Sequence, residues 1–428
     1  MDGGRGSTVR EAFREGWPEV CGVVSSRVRR EAEAFLQCGQ LRYGFVEVSC
    51  EACHEARLVA FSCKGRGWCP SCTNRRAVET GASLESMLPL VRHRQWTLSI
   101  PFSLRFTVVK QPALLQTVAS LLVRAVWRRH RQAARRLGAS GFSFGGAVVF
   151  TQWFGSTLQL TPHLHVLVPD ALWRGDGEAF SVPPPTDDEV TAVLARVLRQ
   201  ARRRLGEVAP AFVEDDADAL RLAALQHPLP MEVPVSSRRL VATGMGLSLH
   251  AGTAVHGNDR QGLERLCRYG ARGPAADCRL RRLEDGRYEY TPKRGSPFTL
   301  SAAALVKRLV ALTPPPNAHL TTFHGVFAPN ARLRPLVTRQ PAAPPPAPPS
   351  PLAAPPKKKR RLDWATLHQR TFGTDVLKCP CGGRRRIHTV HATRAAAEAR
   401  LAELGVPLPP ARRRLPPATA QPGLPFAA

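Results

Sequence analysis

The spacing of apolar positions changes from helical to extended in the N-terminal part of the chain. Apolar side chains recur at intervals of three and four over residues 10–37, which predicts an amphipathic helix. Residues 95–100, QWTLSI, have the composition of a strand and are followed by Pro101. Residues 38–92 hold most of the cysteines. We therefore expect a cysteine-rich unit between a helix and a strand.

A long helix and two neighbouring strands are predicted next. Residues 116–137 alternate apolar and basic faces, as an amphipathic helix does. Residues 147–154 and 163–168 are apolar runs of strand length joined by a short turn region. Residues 190–205 predict another helix with an arginine-covered face. The arginines expected on the exposed face of the first helix are Arg124, Arg128, Arg129 and Arg131.

The second half of the chain predicts a strand and a helix. Residues 238–250 are strand-like but interrupted by glycine. Residues 259–269 have helical spacing, with Asn258 or Asp259 as the N-cap and Gly270 at the end. The side chains expected on the buried face of this helix are Leu263, Leu266 and Cys267.

The composition changes again near residue 340. Residues 340–356 are almost only proline and alanine, which predicts an extended, semi-rigid linker. The basic run at 357–361 resembles a nuclear import signal, but we interpret it as a phosphate-binding arm or a solvated tail. A length of 428 residues suggests two or three domains. No apolar run is long enough to span a membrane or to act as a secretory signal, so a reducing compartment is expected.

The charge of the chain predicts a polyanionic partner. Lysine and arginine number 61 and aspartate and glutamate 33, which gives a net charge of +28 and favours nucleic acid over small neutral substrates. Most of the excess is arginine, which pairs bidentately with phosphate. A GC-rich genome would also inflate arginine, but it would not by itself suppress acidic residues. Arg75 and Arg76, beside the cysteines, are either phosphate contacts or a solvated surface.

Two cysteine pairs have the spacing of a zinc site. Cys50 and Cys53 are two residues apart, Cys69 and Cys72 likewise, with 15 residues between the pairs. Each knuckle can aim both sulfurs at one ion, and two knuckles complete a tetrahedron of thiolates. We predict a closed structural Zn²⁺ site, with a reduced cluster of buried cysteines as the alternative. Further candidate ligands are Cys38, Cys63 and His54.

A weaker cysteine pair lies near the C-terminus. Cys379 and Cys381 are separated by one residue, which is poor spacing for a zinc knuckle. His388 and His391 could complete a site with them. We expect Cys379 and Cys381 to be free thiols rather than metal ligands.

A histidine pair and a tyrosine are the other candidates for chemistry. Residues 161–168, TPHLHVLV, predict a strand on which His163 and His165 share one face. Two neutral imidazoles on one face make half of a divalent-metal site. Tyr269 is one of four tyrosines and lies on the predicted helix 259–269. The alternatives are satisfied structural histidines and a half-buried aromatic ring with its hydroxyl at the rim.

Six segments stand out in order along the chain. They are CEACHEARLVAFSCKGRGWCPSC (50–72), QWTLSIPFSLRF (95–106), FGSTLQLTPHLHVLVPDALW (154–173), SLHAGTAV (248–255), LERLCRYGARGP (263–274) and HLTTFHGVFAPNARLR (319–334). Together they resemble the rolling-circle insertion-sequence transposases, the branch of the HUH endonuclease superfamily (histidine–hydrophobic–histidine) with an N-terminal transposase zinc-binding domain. The resemblance covers about residues 20–335, and a family-like tail follows at 364–391.

The resemblance implies a reaction. His163 and His165 match the metal-binding pair and Tyr269 the nucleophilic tyrosine. Family enzymes use Mg²⁺ or Mn²⁺, nick one DNA strand, and link the tyrosine to the 5′ phosphate. A phenol ordinarily has a pKa near 10 and needs help, which a metal on the scissile phosphate supplies. The phosphotyrosine bond allows rejoining without ATP, which suits a chain with no Walker phosphate loop.

Other residues are expected around the tyrosine. Arg268 is a catalytic candidate that would steady the phosphate, and Arg265 and Arg272 are candidate DNA contacts. The third metal ligand is not fixed by the sequence. His250, in the family-like segment SLHA, is favoured over Gln152 and Glu264 as that ligand.

The sequence departs from the family at three places. Arg265 stands four residues before Tyr269, where better-known members carry a second tyrosine, so strand transfer needs sequential use or a second subunit. Gly270 and Gly273 replace a bulky residue and a proline. The tail has one residue, not two, between its cysteines. A decayed, inactive copy is the alternative that these changes leave open.

We predict an α+β fold: an antiparallel-sheet HUH nuclease domain with packed helices, preceded by a small zinc-binding domain. The expected parts are the N-terminal helix and zinc-binding domain (1–92), the catalytic domain (93–338), the linker and basic run (339–361) and a small C-terminal module (362–428).

The predicted function is a metal-dependent transposase that nicks single-stranded DNA at element ends, in the bacterial cytoplasm and at the nucleoid when bound to DNA. No membrane partner and no nucleotide cofactor are expected. The rivals are a replication initiator or relaxase with the same chemistry and a non-catalytic zinc-dependent DNA-binding protein. A three-carboxylate transposase is disfavoured because Asp170, Asp176 and Glu178 show no clear pattern.

Overall fold

The computed structural model describes most of the chain. The predicted linker at 340–356 and the basic run at 357–361 lie outside the described residues. The described ranges are 8–205, 214–225, 239–293, 295–315, 318–338 and 362–407.

Helices and antiparallel strands are both present throughout these ranges. The α-helices are α1 (Thr8–Gly16), α2 (Ser26–Gln37), α3 (Pro70–Met87), α4 (Phe102–Lys110), α5 (Pro112–Arg136), α6 (Asp187–Leu205), α7 (Asp216–Leu225), α8 (Arg260–Ala271), α9 (Ala302–Ala311), α10 (Arg334–Val337), α11 (Trp364–Phe372) and α12 (Arg394–Glu403). The strands are β1 (Phe45–Cys50), β2 (Ala56–Ala60), β3 (His93–Ser99), β4 (Gly146–Phe154), β5 (Leu160–Pro169), β6 (Ala171–Trp173), β7 (Ala179–Ser181), β8 (Val241–Gly244), β9 (Leu247–Val255), β10 (Leu280–Arg282), β11 (Tyr288–Tyr290), β12 (Phe298–Leu300), β13 (Thr321–Gly325) and β14 (Arg385–His391).

A six-stranded sheet forms the centre of the molecule. Its order is β13-β4-β5-β3-β9-β8, and every neighbouring pair is antiparallel. The strands predicted at 95–100, 147–154 and 163–168 are β3, β4 and β5, and β4 pairs with β5 as expected. The antiparallel sheet with packed helices confirms the predicted α+β class.

Both faces of this sheet are covered by apolar layers. Leu164 and Val166 of β5 are fully buried in the layer that includes the long helix α5. Leu167 belongs to the opposite layer, together with side chains of α3 and α8. Because side chains alternate along a strand, His163 and His165 share the face of Leu167 and lie on the α8 side.

The helix predicted over residues 10–37 is two helices. The chain leaves α1 through 3₁₀ turns, the first of which contains Pro18. Proline has no amide hydrogen and its ring clashes with the preceding helical turn, so it ends the helix that the apolar spacing predicts. Ser25 then caps α2 by accepting a hydrogen bond from the backbone N–H of Val28 at 3.4 Å.

The strand predicted over residues 238–250 is a hairpin, β8–β9. Met245 and Gly246 both have positive φ, 48° and 75°, as a two-residue hairpin turn of the primed type requires. The glycine read as an interruption of one strand therefore marks the reversal of the chain. Residue 238 itself lies outside the described residues.

Helix α5 differs from its prediction at one arginine. Arg129, expected on the exposed face, is buried, pairs with Glu189 of α6 at 2.7 Å and donates to the carbonyl oxygens of Pro183 and Pro184. This buried pair joins α5 to α6. No single described helix is long and apolar enough to cross a membrane, although α4 and α5, bent by 115°, meet that test as a pair.

The C-terminal segment packs on the N-terminal region. β14 pairs with β1 in a small sheet of order β14-β1-β2. Helix α11 lies against α3. At the edge of this contact Arg400 of α12 pairs with Glu47 of β1 at 3.0 Å. The C-terminal segment therefore packs on the cysteine-rich unit, at β1 and α3.

Candidate active site and metal centres

The histidine pair lies on a strand in the interior of the central sheet. The Nε2 atoms of His163 and His165 are 3.1 Å apart. Two nitrogens bound to one ion at about 2.1 Å, with angles of about 90–110°, would lie about 3.0–3.4 Å apart. The pair therefore has the separation of two ligands of one divalent ion.

Hydrogen bonds and burial prepare the two rings for a metal. Nδ1 of His163 lies 2.7 Å from the carbonyl oxygen of Thr161, so Nδ1 carries the proton and donates it. Nδ1 of His165 lies 3.1 Å from the hydroxyl of Thr97. Burial lowers the pKa of both imidazoles, to about 3 for His165, where the charges of His163 and Arg272 add to the effect. Neutral rings with Nδ1 bonded away present Nε2 lone pairs to a metal.

Helix α8 brings Tyr269 to this pair. The ring centroids of Tyr269 and His165 are 5.5 Å apart, with the rings inclined at 73°. The helix begins after Asp259, whose carboxylate accepts the backbone N–H of Gly262 at 2.7 Å. Of the two predicted caps, Asp259 is therefore the one used.

Gly270 allows the close approach of α8 to the sheet. The helix continues through Gly270 to Ala271 and does not end where the sequence predicted. A Cβ at Gly270 would lie 2.6 Å from the ring of Phe150 on β4. Phe150 stands opposite His165 in the ladder. The missing side chain thus lets the turn that carries Tyr269 reach the histidine pair.

Two cations lie against the tyrosine ring. The guanidinium carbon of Arg272 is 4.5 Å and Nζ of Lys293 is 5.3 Å from the ring centroid of Tyr269. Nε of Arg272 is buried and has no hydrogen-bond partner among the described residues. Lys293 follows β11 and belongs to no motif, so sequence reasoning missed it. Together they place positive charge beside the candidate nucleophile.

The arginines predicted beside Tyr269 point to different places. Arg268 packs over α3, since a Cβ at Gly81 would lie 2.5 Å from Cγ of Arg268. Arg265 is exposed. Consecutive residues of a helix are about 100° apart around its axis, so the side chain of Arg268 leaves α8 in a different direction from that of Tyr269. The structure gives Arg272, rather than Arg268, the position next to the tyrosine.

Gln152 connects the sheet to the tyrosine helix. It lies opposite His163 in the β4–β5 ladder and is 2% exposed. Its Nε2 donates to the carbonyl oxygens of Tyr269 at 2.8 Å and Gly270 at 2.9 Å. Two carbonyl partners fix that atom as nitrogen, which leaves Oε1 buried without a partner among the described residues.

His250 does not join the histidine pair. It lies opposite Thr97 on β3, and Thr97 lies opposite His165, so one strand separates the two histidines. In the described part of the chain, the groups of three or more His, Cys, Asp or Glu residues whose ligand atoms all lie within 4.8 Å of one another are two sets of cysteines. The structure therefore does not support the expectation that His250 is the third ligand.

Cys38, Cys63, Cys69 and Cys72 form the first set of cysteines. Neighbouring Sγ atoms are 3.4–3.8 Å apart. Zn–S bonds of about 2.3 Å place the corners of a tetrahedron about 3.8 Å apart, so these four thiols fit zinc. Hydrogen bonds from Cys38, Cys63 and Cys69 lower the pKa of the Cys72 thiol.

The second set contains Cys50, Cys53, Cys379 and Cys381. The spacing predicted that Cys50/Cys53 and Cys69/Cys72 share one zinc site. In the structure each pair instead belongs to a different set of cysteines. The 3₁₀ turn and strand after Cys38 direct the hairpin of Cys50 and Cys53 towards the C-terminal segment instead. Neither His54, His388 nor His391 belongs to a converging group among the described residues.

Of the two arginines predicted near the cysteines, Arg76 hydrogen-bonds to the protein backbone and Arg75 acts on a nearby histidine through its charge. Arg76 donates from Nη2 to the carbonyl oxygen of Lys64 at 3.1 Å. Arg75 lies close enough to His368 of α11 for its charge to help lower the pKa of that histidine, after burial and together with Arg57. Their proposed contact with DNA stays a prediction.

Two protein-family models match the chain, one over the cysteine set around Cys38 and one over the histidine pair and Tyr269. Residues 9–100 match the model described as transposase zinc-binding domain, and residues 146–334 match the model described as Putative transposase. No curated protein and no solved structure matches the chain. The first model includes the cysteine set around Cys38, which supports structural Zn²⁺, and the second includes His163, His165 and Tyr269.

The two matched domains follow one another along the chain. A zinc-binding domain at the N-terminus followed by a transposase domain implies a protein that binds DNA and acts in transposition. The resemblance found in the sequence segments and the two matched regions agree. The chain therefore carries a transposase zinc-binding domain and a transposase domain, a combination consistent with an IS91-family transposase.

Proposed function

We propose that this transposase is a metal-dependent tyrosine endonuclease that nicks one DNA strand at the ends of its insertion sequence and transfers it by a rolling-circle mechanism. One observation carries the proposal: the ring of Tyr269 packs against His165, 5.5 Å away, whose Nε2 is 3.1 Å from that of His163. The nucleophile and half of a metal site come from separate elements and meet in one place.

The chemistry assigned to the chain is an exchange of phosphoesters. The Tyr269 oxygen attacks the scissile phosphorus, the bond from phosphorus to the 3′ oxygen breaks, and a 5′-phosphotyrosine forms. The phenol proton passes to solvent, and the leaving 3′ oxygen takes a proton from solvent. Mg²⁺ or Mn²⁺, held by His163 and His165, would polarise the phosphate. Arg272 and Lys293 add positive charge where negative charge develops.

Gln152 is the third ligand that we propose. Its Oε1 is a buried acceptor without a partner among the described residues, on the strand next to His163. Amide oxygens suit Mg²⁺ and Mn²⁺. Because Nε2 of Gln152 holds the carbonyl oxygen of Tyr269 at 2.8 Å, the same side chain would couple metal binding to the position of the nucleophile.

Single-stranded DNA at the element ends is the proposed substrate. The net charge of +28 supports a polyanion, and a flexible strand can bring its phosphate to a tyrosine that is only half exposed. A replication initiator would use the same chemistry, whereas a non-catalytic DNA-binding protein would have no need of Tyr269 beside two metal-ready histidines.

A nicking assay tests the proposal. Labelled single-stranded oligonucleotides covering both element ends are incubated with the protein and Mg²⁺ or Mn²⁺, and a denaturing gel detects protein-linked DNA. We expect an adduct that requires the ion and disappears in Tyr269→Phe. Tyr43→Phe is the control and should retain it, because the Tyr43 ring packs against Arg42 and Arg394, away from the histidine pair. Gln152→Leu should need a higher Mn²⁺ concentration for half-maximal adduct.

Two outcomes would contradict the assignment. An adduct that survives Tyr269→Phe would mean that another residue is the nucleophile. Salt-sensitive DNA binding without any adduct, in a protein that retains its zinc, would favour the non-catalytic DNA-binding protein.

A further inference from the structure

We propose that Cys50, Cys53, Cys379 and Cys381 form a second structural zinc site, which fastens the C-terminal segment to the β1–β2 hairpin. We call this site the zinc clamp. It lies partly outside both matched family regions, because residues 362–407 follow them. It is independent of the nuclease chemistry proposed above.

The thiols of the zinc clamp already have the spacing of a metal site. Sγ of Cys50 is 3.6 Å from Sγ of Cys381, and Sγ of Cys53 is 3.6 Å from Sγ of Cys379. All four sulfurs lie within 4.8 Å of one another. A zinc tetrahedron needs about 3.8 Å between sulfurs, whereas a disulfide needs about 2.05 Å between two of them. The four atoms therefore fit one ion better than two disulfides.

The N-terminal half of the clamp is a tight turn between β1 and β2. The N–H of Cys50 donates to the carbonyl oxygen of Glu55 at 3.0 Å, and that of His54 donates to the carbonyl oxygen of Cys50 at 3.0 Å. This turn gives the two-residue spacing its usual role of aiming both sulfurs at one point.

Two glycines allow Cys379 and Cys381, which have only one residue between them, to face the same site. Gly382 has a φ of +87°, and its N–H donates to the carbonyl oxygen of Cys379 at 3.1 Å. A Cβ at Gly383 would lie 2.9 Å from Sγ of Cys50. The turn therefore folds back so that the sulfurs of Cys379 and Cys381 both face the hairpin, and the absent side chain at Gly383 leaves room for Cys50.

Charges on the two partners support their association. Arg385, nearly buried, pairs with Glu55 at 2.8 Å, and Arg386 pairs with Glu51 at 2.8 Å. Farther along, Arg42 pairs with Glu398 at 2.7 Å. Four thiolates around Zn²⁺ carry a net charge of about −2, which nearby arginines would offset. The zinc clamp is therefore the centre of a contact that hydrogen bonds and ion pairs already align.

Zinc stoichiometry tests the clamp in the full-length protein. We expect two zinc ions per chain by native mass spectrometry, with free thiols counted after metal removal. Cys53→Ser and Cys379→Ser should each leave one zinc. The double variant should also leave one, because both residues serve the same ion. Cys278→Ser, a control outside both sets, should retain two.

The double variant separates this proposal from its alternatives even if one variant folds poorly. Two zinc ions in Cys379→Ser, or a further loss in the double variant relative to each single one, would overturn the shared site. Detection of disulfides in place of the second zinc in freshly reduced protein would also overturn it.

The mechanical role of the clamp has its own readout. A protease site placed within residues 340–356 allows cleavage of the intact, folded chain. We expect the C-terminal fragment to remain bound in the presence of zinc and to be released at least tenfold more by a chelator. Equal release from wild type and from Cys379→Ser, with and without chelator, would show that zinc does not hold the fragment.

Discussion

At the scale of single residues, His130 is a buried titratable group that the proposed chemistry does not use. It lies on α5, and neither ring nitrogen has a hydrogen-bond partner among the described residues. Burial, with the charges of Arg129, Arg94 and Arg131, lowers its pKa to about 3. In the unfolded chain the imidazole titrates near pH 6.5. The folded protein therefore holds His130 neutral where the unfolded chain protonates it.

This difference predicts a loss of stability in mild acid. Below about pH 6.5 the unfolded chain binds a proton that the folded chain does not, so the free energy of unfolding falls until the pH reaches about 3. Between pH 7 and pH 5 one such histidine contributes a loss of about 2 kcal/mol. His130→Leu should remove that contribution, as urea unfolding of wild type and variant at both pH values would show.

Each variant is compared with wild type at the same pH. The pH response of the zinc sites, which both proteins share, therefore cancels. The exposed His256→Gln is the control and should follow wild type at both pH values. An unchanged difference between His130→Leu and wild type from pH 7 to pH 5 would contradict the neutral buried imidazole.

At the scale of elements, the contact of α8 with β4 decides whether Tyr269 reaches His163 and His165. The helix is held from its N-cap at Asp259 and from the carbonyl oxygens of Tyr269 and Gly270, which accept from Gln152. At Gly270 it also packs closely on the ring of Phe150. Small displacements of α8 would therefore move Tyr269 relative to both histidines.

Gly270→Ala should displace α8. Its new Cβ would lie 2.6 Å from the Phe150 ring, and overpacking typically costs about 1–3 kcal/mol, more than the helix propensity that alanine gains. We expect lower stability in urea and a slower rate of DNA adduct formation. Gly175→Ala, where no atom lies within 4 Å of the new Cβ, is the matched control.

A second background makes this prediction specific to the contact. In Phe150→Leu, the smaller side chain removes the clash, so the further change Gly270→Ala should cost less than it does in wild type. Additive effects of the two changes would show that the cost arises elsewhere in the helix.

At the scale of the whole molecule, we expect the net positive charge to contribute to DNA binding more than to the stability of the fold. Some of the arginines that contribute to the net charge of +28 form buried ion pairs, such as Arg94 with Asp170 at 2.9 Å. This pair also removes Asp170 from consideration as a catalytic carboxylate. Arg272 and Lys293, in contrast, face the proposed phosphate position beside Tyr269.

Salt dependence measures which cations contact DNA. Binding to single strands loses about 0.7 in the slope of log affinity against log salt for each phosphate contact removed. Arg272→Gln and Lys293→Gln should each lower the magnitude of the slope by about that amount, measured without divalent ions so that no cleavage occurs. Arg287→Gln should not, since Arg287 pairs with Asp285 at 2.7 Å on a hairpin. Weaker binding with an unchanged slope would place these two side chains away from phosphate.

The sequence by itself determined the features that depend on local spacing. Alternation predicted that His163 and His165 share a face, and the structure has this arrangement, with Leu164 and Val166 in the core on the other face. Helical spacing located the helix of Tyr269 to within a few residues. Ordered family-like segments predicted the transposase family, which the matched domains confirm. Such signals survive because they are carried by neighbours in the chain.

Only the tertiary structure decided which distant residues meet. The two cysteine knuckles have equal spacing, yet Cys53 finds Cys379, 326 positions away, instead of the nearer Cys69. Arg272 rather than Arg268 reaches Tyr269, and one strand of the sheet keeps His250 from His165. These outcomes depend on sheet order, helix rotation and the space left by glycines, and each is a property of contacts between elements that no local pattern encodes.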